Sequence, residues 1–213
     1  MRADLPKHKG LRKNLVEELR RMGIADEKVL DAFMNVPRHF FLDEVFVKQA
    51  YSNQAFQIGA GQTISHPYTV AFQSELLQIK KGDKVLEIGT GSGFQTSILC
   101  EMGAKVFSIE RQRELYLKAK VILNDLGFTP KTFYGDGYQG KETYAPFDKI
   151  IVTCGAPFIP EALVDQLKEG GLMVIPVGDP TQIMKYGKKI NGKMVFKDVG
   201  DFSFVPMLKD KAR

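Results

Sequence analysis

The first third of the chain places apolar and polar residues at helical spacing. Apolar side chains recur at every third or fourth position over residues 11–22, which predicts an amphipathic helix. Asp26 is a suitable cap for a second helix, and Pro37 stops that helix. Residues 51–66 are rich in glycine and small polar side chains, so an irregular segment is predicted there. Pro67 then fits the first turn of a third helix.

From residue 84 the pattern changes to short apolar runs separated by helical stretches. This alternation predicts a parallel sheet with helices packed on both faces. Right-handed crossovers then bring the C-terminal ends of these strands to one edge of the sheet. The predicted strands are residues 84–88, 105–110, 131–135, 147–153 and 171–177, and the predicted helices between them are 94–102, 113–126 and 160–167.

The pattern changes again after Gly178. Two alternating runs flank Asn191 and Gly192, a pair that favours a type I′ turn, so a hairpin is predicted. A last strand is predicted over residues 202–207. The fold class is therefore α/β, a Rossmann-like and mostly parallel twisted sheet with an antiparallel C-terminal hairpin. We expect one domain over residues 1–213, divided into an N-terminal helical extension (1–80), a cofactor-binding core (81–178) and C-terminal antiparallel strands (179–213).

Composition and charge exclude several classes of protein. Of 213 residues, 44% are hydrophobic and 26% are charged, which is typical of a globular chain. No apolar run approaches the ~18 residues of a membrane helix, and the first ten residues lack the apolar stretch of a secretory signal. We therefore expect a cytoplasmic protein without a membrane partner. Cys100 and Cys154 form no CxxC pair and the three histidines are scattered, so neither a disulfide framework nor a metal site is predicted.

The net charge of +5 mildly favours acidic partners. However, the basic residues are dispersed along the chain and are not interleaved with aromatic residues, as they usually are in nucleic-acid binders. The pattern favours solvated helix faces and a charged hairpin. No nucleic-acid partner is therefore expected.

The strongest chemical motif is the glycine-rich segment 86–94, which leaves a predicted strand and opens a predicted helix. Gly89 and Gly91 let the backbone approach a ligand closely, and the helix N-terminus offers unpaired N–H groups. The spacing is GxGxG rather than the GxGxxG of dinucleotide sites, and no lysine follows as in a phosphate-binding loop. Glu87 would repel a pyrophosphate but suit a cationic amino acid group. Alone, such a loop is weak evidence, because a tight turn gives the same pattern.

Two further acidic residues follow predicted strands. Glu110 ends the second strand of the core, where a carboxylate can accept hydrogen bonds from both hydroxyls of a ribose. Asp136 can accept a hydrogen bond from an adenine amino group while the N–H of Gly137 meets a ring nitrogen. The alternatives are a solvated acid at the first position and an ordinary turn at the second. Together with Glu87, these residues describe a site for S-adenosylmethionine, which has an adenosine, no phosphate and a cationic methionine tail.

Taken as a whole, the chain resembles the protein-L-isoaspartate (D-aspartate) O-methyltransferase family. The segment GQTIS-x-P, placed before the glycine loop, separates that family from other methyltransferases. The resemblance implies the S-adenosylmethionine-dependent methyltransferase fold. It also implies methyl transfer to the free α-carboxylate of L-isoaspartyl residues in damaged proteins and peptides, followed by repair through a succinimide. The segments that carry the resemblance are 36–40, 59–68, 85–96, 135–137, 146–148, 160–163, 175–178 and 204–207.

The resemblance also implies roles for individual residues. Ser65 matches the active-site serine of the family, whereas its alternative role is a helix N-cap beside Pro67. Apart from the resemblance, the charge of Arg38 suits a carboxylate clamp, but pairing with an acid such as Asp43 is the simpler explanation, so Arg38 is not included among the site residues. The implied cofactor-binding residues are Gln62, Thr63, Ile64, Ser65, Glu87, Gly89, Gly91, Glu110, Asp136 and Gly137.

Two other functions stay open at this point. A methyltransferase of the same fold could act on a small molecule or on RNA, although residues 1–80 resemble the peptide-methylating family. A non-catalytic protein could also retain the cofactor pocket as an interaction domain. If the chain is the enzyme, its partners are isoaspartyl peptides and proteins, and we expect it to act as a monomer.

Overall fold

The computed structural model describes residues 3–212, and over that range it contains six α-helices and nine strands. The helices are α1 (Pro6–Arg21), α2 (Glu27–Asn35), α3 (Pro67–Leu77), α4 (Phe94–Glu101), α5 (Arg113–Asp125) and α6 (Glu161–Gln166). The strands are β1 (Phe56–Gly59), β2 (Gln62–Ile64), β3 (Lys84–Ile88), β4 (Lys105–Glu110), β5 (Lys131–Tyr134), β6 (Phe147–Val152), β7 (Leu167–Val177), β8 (Gln182–Ile190) and β9 (Lys193–Phe202). No helix in this range is long and apolar enough to cross a membrane.

Seven of the strands form one sheet in the order β5-β4-β3-β6-β7-β8-β9. The strands from β3 to β7 are parallel to one another, whereas β8 and β9 are each antiparallel to their preceding neighbour. Asn191 and Gly192 have φ values of 52° and 75°, as a type I′ turn requires. These findings confirm the predicted sheet and its C-terminal hairpin.

Alternate residues of the central strands point into two separate apolar layers. Val85 and Ile151 belong to the layer that α1 to α5 cover. Leu86 and Ile150 belong to the opposite layer, together with Leu163 of α6. Because both faces of the sheet are covered, the central strands are apolar at consecutive positions. That burial explains why the sequence shows continuous apolar runs there.

The N-terminal extension follows the predicted helices but adds a hairpin. Asp26 caps α2 by accepting a hydrogen bond from the backbone N–H of Lys28 at 2.9 Å. The prediction of an irregular segment over residues 51–66 is wrong, because β1 and β2 pair there as an antiparallel hairpin. Phe56 and Ile58 of β1 are buried while the residues after each of them are exposed. This alternation spans only four residues, too few to stand out beside the glycines of the turn.

The last predicted strand, over residues 202–207, is also wrong. The strand β9 ends at Phe202, and beyond it Pro206 makes only an isolated bridge to Gly155. The backbone N–H of Gly155 donates to the carbonyl of Val205 at 2.8 Å, and that of Met207 donates to the carbonyl of Gly155 at 2.7 Å. The chain therefore leaves the sheet edge and crosses the C-terminal ends of the parallel strands.

Candidate functional site

A cavity of about 830 Å³ lies at the C-terminal ends of β3, β4 and β6. Of the ten residues predicted to bind a cofactor, eight line this cavity, and the two exceptions are Glu87 and Asp136. The eight are Gln62, Thr63, Ile64, Ser65, Gly89, Gly91, Glu110 and Gly137.

The glycine loop is tied to the end of β6. The hydroxyl of Thr153 donates to the carbonyls of Ile88 and Gly89 at 2.9 and 2.7 Å. Gly89 has a φ of 98°, and a Cβ atom at this position would lie 2.5 Å from the Thr153 hydroxyl. A side chain at residue 89 would therefore displace the threonine that holds the loop. Beside it, Cys154 also lines the cavity, and burial raises the pKa of its thiol to about 12, which keeps it neutral.

Glu110 supports the loop and faces the cavity with the same carboxylate. One of its oxygens accepts the backbone N–H of Gly91 and the other accepts that of Gln112, both at 2.8 Å. Burial raises the pKa of the Glu110 carboxyl, and these N–H groups act in the opposite direction. Because each carboxylate oxygen carries two lone pairs, each keeps one acceptor position after these bonds. A pair of ribose hydroxyls fits such an acceptor set.

Glu87 lies beneath the loop and not on the cavity wall. Its side chain is fully buried, and one of its oxygens accepts a hydrogen bond from the hydroxyl of Thr96. The other oxygen has no hydrogen-bond partner within residues 3–212. Burial raises the pKa of Glu87 to about 7, and the neighbouring Glu110 adds to the effect. A buried carboxylate oxygen without a donor fits a nearby cationic group, which would stabilise its charge.

Asp136 joins two segments of the chain instead of lining the cavity. Its oxygens accept the backbone N–H groups of Tyr138 at 2.9 Å and Asp210 at 3.1 Å. Gly137 does line the cavity, and a Cβ atom there would collide with the side chain of Ile88. The predicted contact between Asp136 and an adenine amino group therefore stays a prediction, for which each oxygen retains one lone pair.

One wall of the cavity was not predicted as part of the site. Residues 205–208 line the cavity where the chain crosses the strand ends. Met207 anchors this wall, because its carbonyl accepts a hydrogen bond from the hydroxyl of Tyr138 at 3.1 Å. A signal was present in the sequence. Pro206 interrupts the apolar run 202–207, and a proline argues against the interior of a strand.

Ser65 lies between this cavity and a second one of about 350 Å³. The two cavities share Thr63, Ser65, Thr153 and Val205 as lining residues. The helix α3 has His66 as its N-cap residue, and no side chain caps it. The alternative role of Ser65 as the N-cap is therefore not supported. Its position on the boundary is suited to a group that contacts ligands in both cavities.

The sequence model of the protein-L-isoaspartate(D-aspartate) O-methyltransferase family matches residues 10–212. The chain belongs to this family. It is 57% identical over 210 residues to the protein-L-isoaspartate O-methyltransferase of Christiangramia forsetii, which covers 98% of this chain and 99% of the relative. The enzyme of the same name from Flavobacterium psychrophilum is 56% identical over 210 residues, with the same coverage of both chains.

Solved structures of this methyltransferase family share the fold. One protein-L-isoaspartate O-methyltransferase superposes with a TM-score of 0.85 at 29% identity. The match covers 92% of this chain and 65% of the chain of that structure. Another, from Plasmodium falciparum in complex with S-adenosyl-L-homocysteine, superposes with a TM-score of 0.83 at 29% identity. That match covers 93% of this chain and 99% of the Plasmodium chain. The predicted methyltransferase fold and the predicted family are thus confirmed.

Two of the histidines of this family member are not scattered, contrary to the expectation from the sequence. Asp4, His8 and His39 bring their possible ligand atoms within 4.8 Å of one another, because α1 packs on the 3₁₀ turn Arg38–Phe41. Arg12 donates to both oxygens of Asp4, at 2.9 and 3.4 Å, so a cation already compensates that carboxylate. Burial and the neighbouring His8 lower the pKa of His39 to about 4. The cluster lines neither of the two cavities.

Proposed function

We propose that this chain transfers the methyl group of S-adenosylmethionine to the free α-carboxylate of L-isoaspartyl residues in damaged proteins and peptides. The ester formed starts repair through a succinimide. Two observations support the proposal: the chain belongs to the family, and it is 57% and 56% identical to two relatives of that name over nearly its full length. The observation that carries it is the position of Ser65, on the boundary between the cavity at the strand ends and a smaller one.

The residues of the larger cavity suit each part of the cofactor. The carboxylate of Glu110 would accept the ribose hydroxyls, and the backbone at Gly137 would lie against the adenine. The unpartnered oxygen of Glu87 would stabilise the cationic amino acid end from beneath the loop. When bound, S-adenosylmethionine supplies an activated methyl group on a sulfonium and leaves a neutral thioether.

The reaction requires little acid–base catalysis from the chain. An α-carboxyl group has a pKa of roughly 3.5, so the attacking carboxylate is ionised at neutral pH without a base. The task that remains is to orient this carboxylate and to exclude water from it. The hydroxyl of Ser65 can donate to one carboxylate oxygen and leave the other free to attack. Cys154 is a neutral part of the wall and takes no part in the transfer.

The smaller cavity accounts for selectivity between isoaspartate and aspartate. In an isoaspartyl residue one methylene has moved from the side chain into the backbone, so the free carboxylate is attached to Cα. A site that fixes the peptide backbone beside Ser65 would present this carboxylate in line, whereas an aspartyl carboxylate would lie further out. Misplacement of about 1 Å costs on the order of 10²-fold in rate.

The test is transfer of a labelled methyl group to two matched peptides that differ only in L-isoaspartate or L-aspartate at one position. We expect labelling of the isoaspartyl peptide, with kcat/KM at least ~10²-fold above that of the aspartyl control. Equal labelling of both peptides would contradict the proposed substrate. Labelling of neither, with cofactor binding shown by calorimetry, would favour another substrate or a non-catalytic binding protein.

We further propose that the chain acts as a monomer in the cytoplasm and without a nucleic-acid partner. Dispersal of the basic residues supports the last point.

A further inference from the structure

Arg38 is a buried cation with an unusual set of partners. Its side chain is 1% exposed, and among residues 3–212 it forms no ion pair with a carboxylate. It therefore does not pair with Asp43, and it is too deeply buried to clamp a substrate carboxylate directly. Burial lowers the pKa of Arg38 to about 9, so the guanidinium is still charged at neutral pH. A charge kept in such a place requires a specific compensating interaction.

The compensating partners are two backbone carbonyls. The Nη2 atom of Arg38 donates to the carbonyls of Gln54 and Ser65, each at 3.0 Å. Gln54 lies just before β1 and Ser65 directly follows β2, and the last ladder pair of this hairpin joins Phe56 to Ile64. One nitrogen atom thus connects the two legs of the hairpin just beyond the point where their own hydrogen bonds end.

The guanidinium also contacts the wall of the cofactor cavity. Its central carbon lies 4.9 Å from the ring centroid of Phe94, which begins α4 and lines that cavity. Charge over an aromatic face adds a favourable interaction to the two carbonyl bonds. Arg38 therefore contacts both the backbone of Ser65, on the boundary of the two cavities, and Phe94, the first residue of the helix that follows the glycine loop.

We infer that Arg38 is the positioning residue of Ser65, holding the serine at the boundary of the two cavities by clasping the base of the β1–β2 hairpin. This inference rests on the proposed function. Arg38 lines neither cavity, and in this inference it acts through the backbone of Ser65. Packing alone does not explain the residue, because its Nε and Nη1 atoms have no hydrogen-bond partner within residues 3–212. An apolar side chain would fill the same space without those orphaned donors.

The test is a double-mutant cycle between Arg38→Gln and Ser65→Ala, measured as kcat on the isoaspartyl peptide. If Arg38 acts through Ser65, Arg38→Gln alone lowers kcat by about 10²-fold. In the Ser65→Ala background the same change then costs less than ~3-fold, because coupled residues are not additive. The dissociation constant of S-adenosylmethionine, measured by calorimetry, changes less than ~3-fold in either background, since Arg38 does not contact the cofactor.

Two further variants separate positioning from folding. Arg38→Lys keeps a cation that can donate to both carbonyls, so its kcat stays within ~10-fold of the wild type. Arg12→Gln is the matched control, because it also removes a buried arginine but one that contacts Asp4 and Tyr51. It lowers the Tm and leaves kcat unchanged. If Arg38→Gln fails to fold, the double-mutant cycle is run with Arg38→Lys instead. The smaller fall in kcat that Arg38→Lys causes in the wild type should then be absent in the Ser65→Ala background.

Three results would overturn the inference. The first is a folded Arg38→Gln variant with the kcat of the wild type. The second is a fall in kcat on Arg38→Gln that is equally large in the wild-type and Ser65→Ala backgrounds. The third is full activity of Ser65→Ala. The first two leave the proposed function intact, because that is tested with the wild-type enzyme on the isoaspartyl peptide. The third would also remove Ser65 from the proposed mechanism, while the wild-type measurement would still decide the substrate.

Discussion

Replacement of Glu110 by alanine removes an acceptor that holds the glycine loop and that, in the proposed function, also binds the cofactor. The carboxylate accepts the N–H groups of Gly91 and Gln112, and Glu110 lines the cavity. Alanine leaves both N–H groups without an acceptor and takes away the proposed ribose contact. We therefore expect Glu110→Ala to weaken cofactor binding and to loosen the glycine loop.

The size of both effects follows from the bonds lost. Hydrogen bonds to a charged group contribute ~1.5–3 kcal/mol, so the dissociation constant of S-adenosylmethionine should rise roughly 10- to 150-fold. In the free protein, the two N–H groups can partly recover bonds to water. A net loss of ~1–2 kcal/mol in the free energy of unfolding corresponds to a fall in Tm of about 2–8 °C for a chain of this length.

Isothermal calorimetry with S-adenosylmethionine measures the first effect and thermal unfolding without ligand measures the second. Glu110→Gln keeps the size of the side chain but replaces one acceptor oxygen by a donor, so it should also weaken binding. Glu114→Ala is the matched control, because it removes one negative charge from an exposed position on α5 that pairs with Lys118. Its dissociation constant should stay within ~2-fold of the wild type.

Unchanged cofactor affinity in folded Glu110→Ala would refute the assignment of this carboxylate to the ribose. If Glu114→Ala weakened binding as strongly, the effect would be one of overall charge and not of a specific acceptor. A lower Tm with unchanged affinity would leave Glu110 as a support of the loop only.

Two further predictions concern Ser65 and His39. Ser65→Ala should lower kcat on the isoaspartyl peptide by about 10²–10³-fold with little change in cofactor affinity, by analogy with the loss of one preorganised donor; near-normal turnover would remove Ser65 from catalysis. The pKa of buried His39 is lowered to about 4 from its usual 6.5, so between these values the unfolded chain binds a proton more readily than the folded one. The free energy of unfolding should therefore fall by up to ~3 kcal/mol as the pH drops from 6.5 to 4. Urea unfolding of the wild type and His39→Gln across this range checks it, and an equally steep pH dependence in the variant would contradict it.

The sequence predicted the sheet well because burial on both faces leaves a strong local pattern. The strands β3, β6 and β7 contain consecutive buried apolar residues, and α5 buries one side formed by Leu115, Ala119 and Leu123. The β1–β2 hairpin escaped prediction because its alternation spans only four residues beside glycines. The segment 203–208 escaped prediction because its conformation depends on contacts with distant residues, such as the bonds of Val205 and Met207 to Gly155.

The site could be predicted only as far as strand ends determine it. Glu110 and the glycines follow strands whose C-termini meet at one edge, so their approach to one cavity was foreseeable. The direction in which each side chain points at these strand ends could not be predicted. Glu87 turns beneath the loop to Thr96, and Asp136 bonds to the backbone of Asp210, which is far away in the sequence. The contact between His8 and His39 likewise depends on the packing of helices that are distant in the sequence, so no local sequence pattern predicts it.

The wall formed by residues 205–208 has a consequence for how the protein matures. The cavity joins segments that begin at Gln62 and end at Leu208, so it exists only when nearly the whole described chain is in place. The affinity for the cofactor then reports whether the chain from Gln62 to Leu208 is present. A chain that has been cut near residue 200 would have the glycine loop and Glu110 but would lack the wall formed by residues 205–208. We therefore expect such a chain to bind S-adenosylmethionine more weakly than the whole chain, which a binding measurement shows without any assay of methyl transfer.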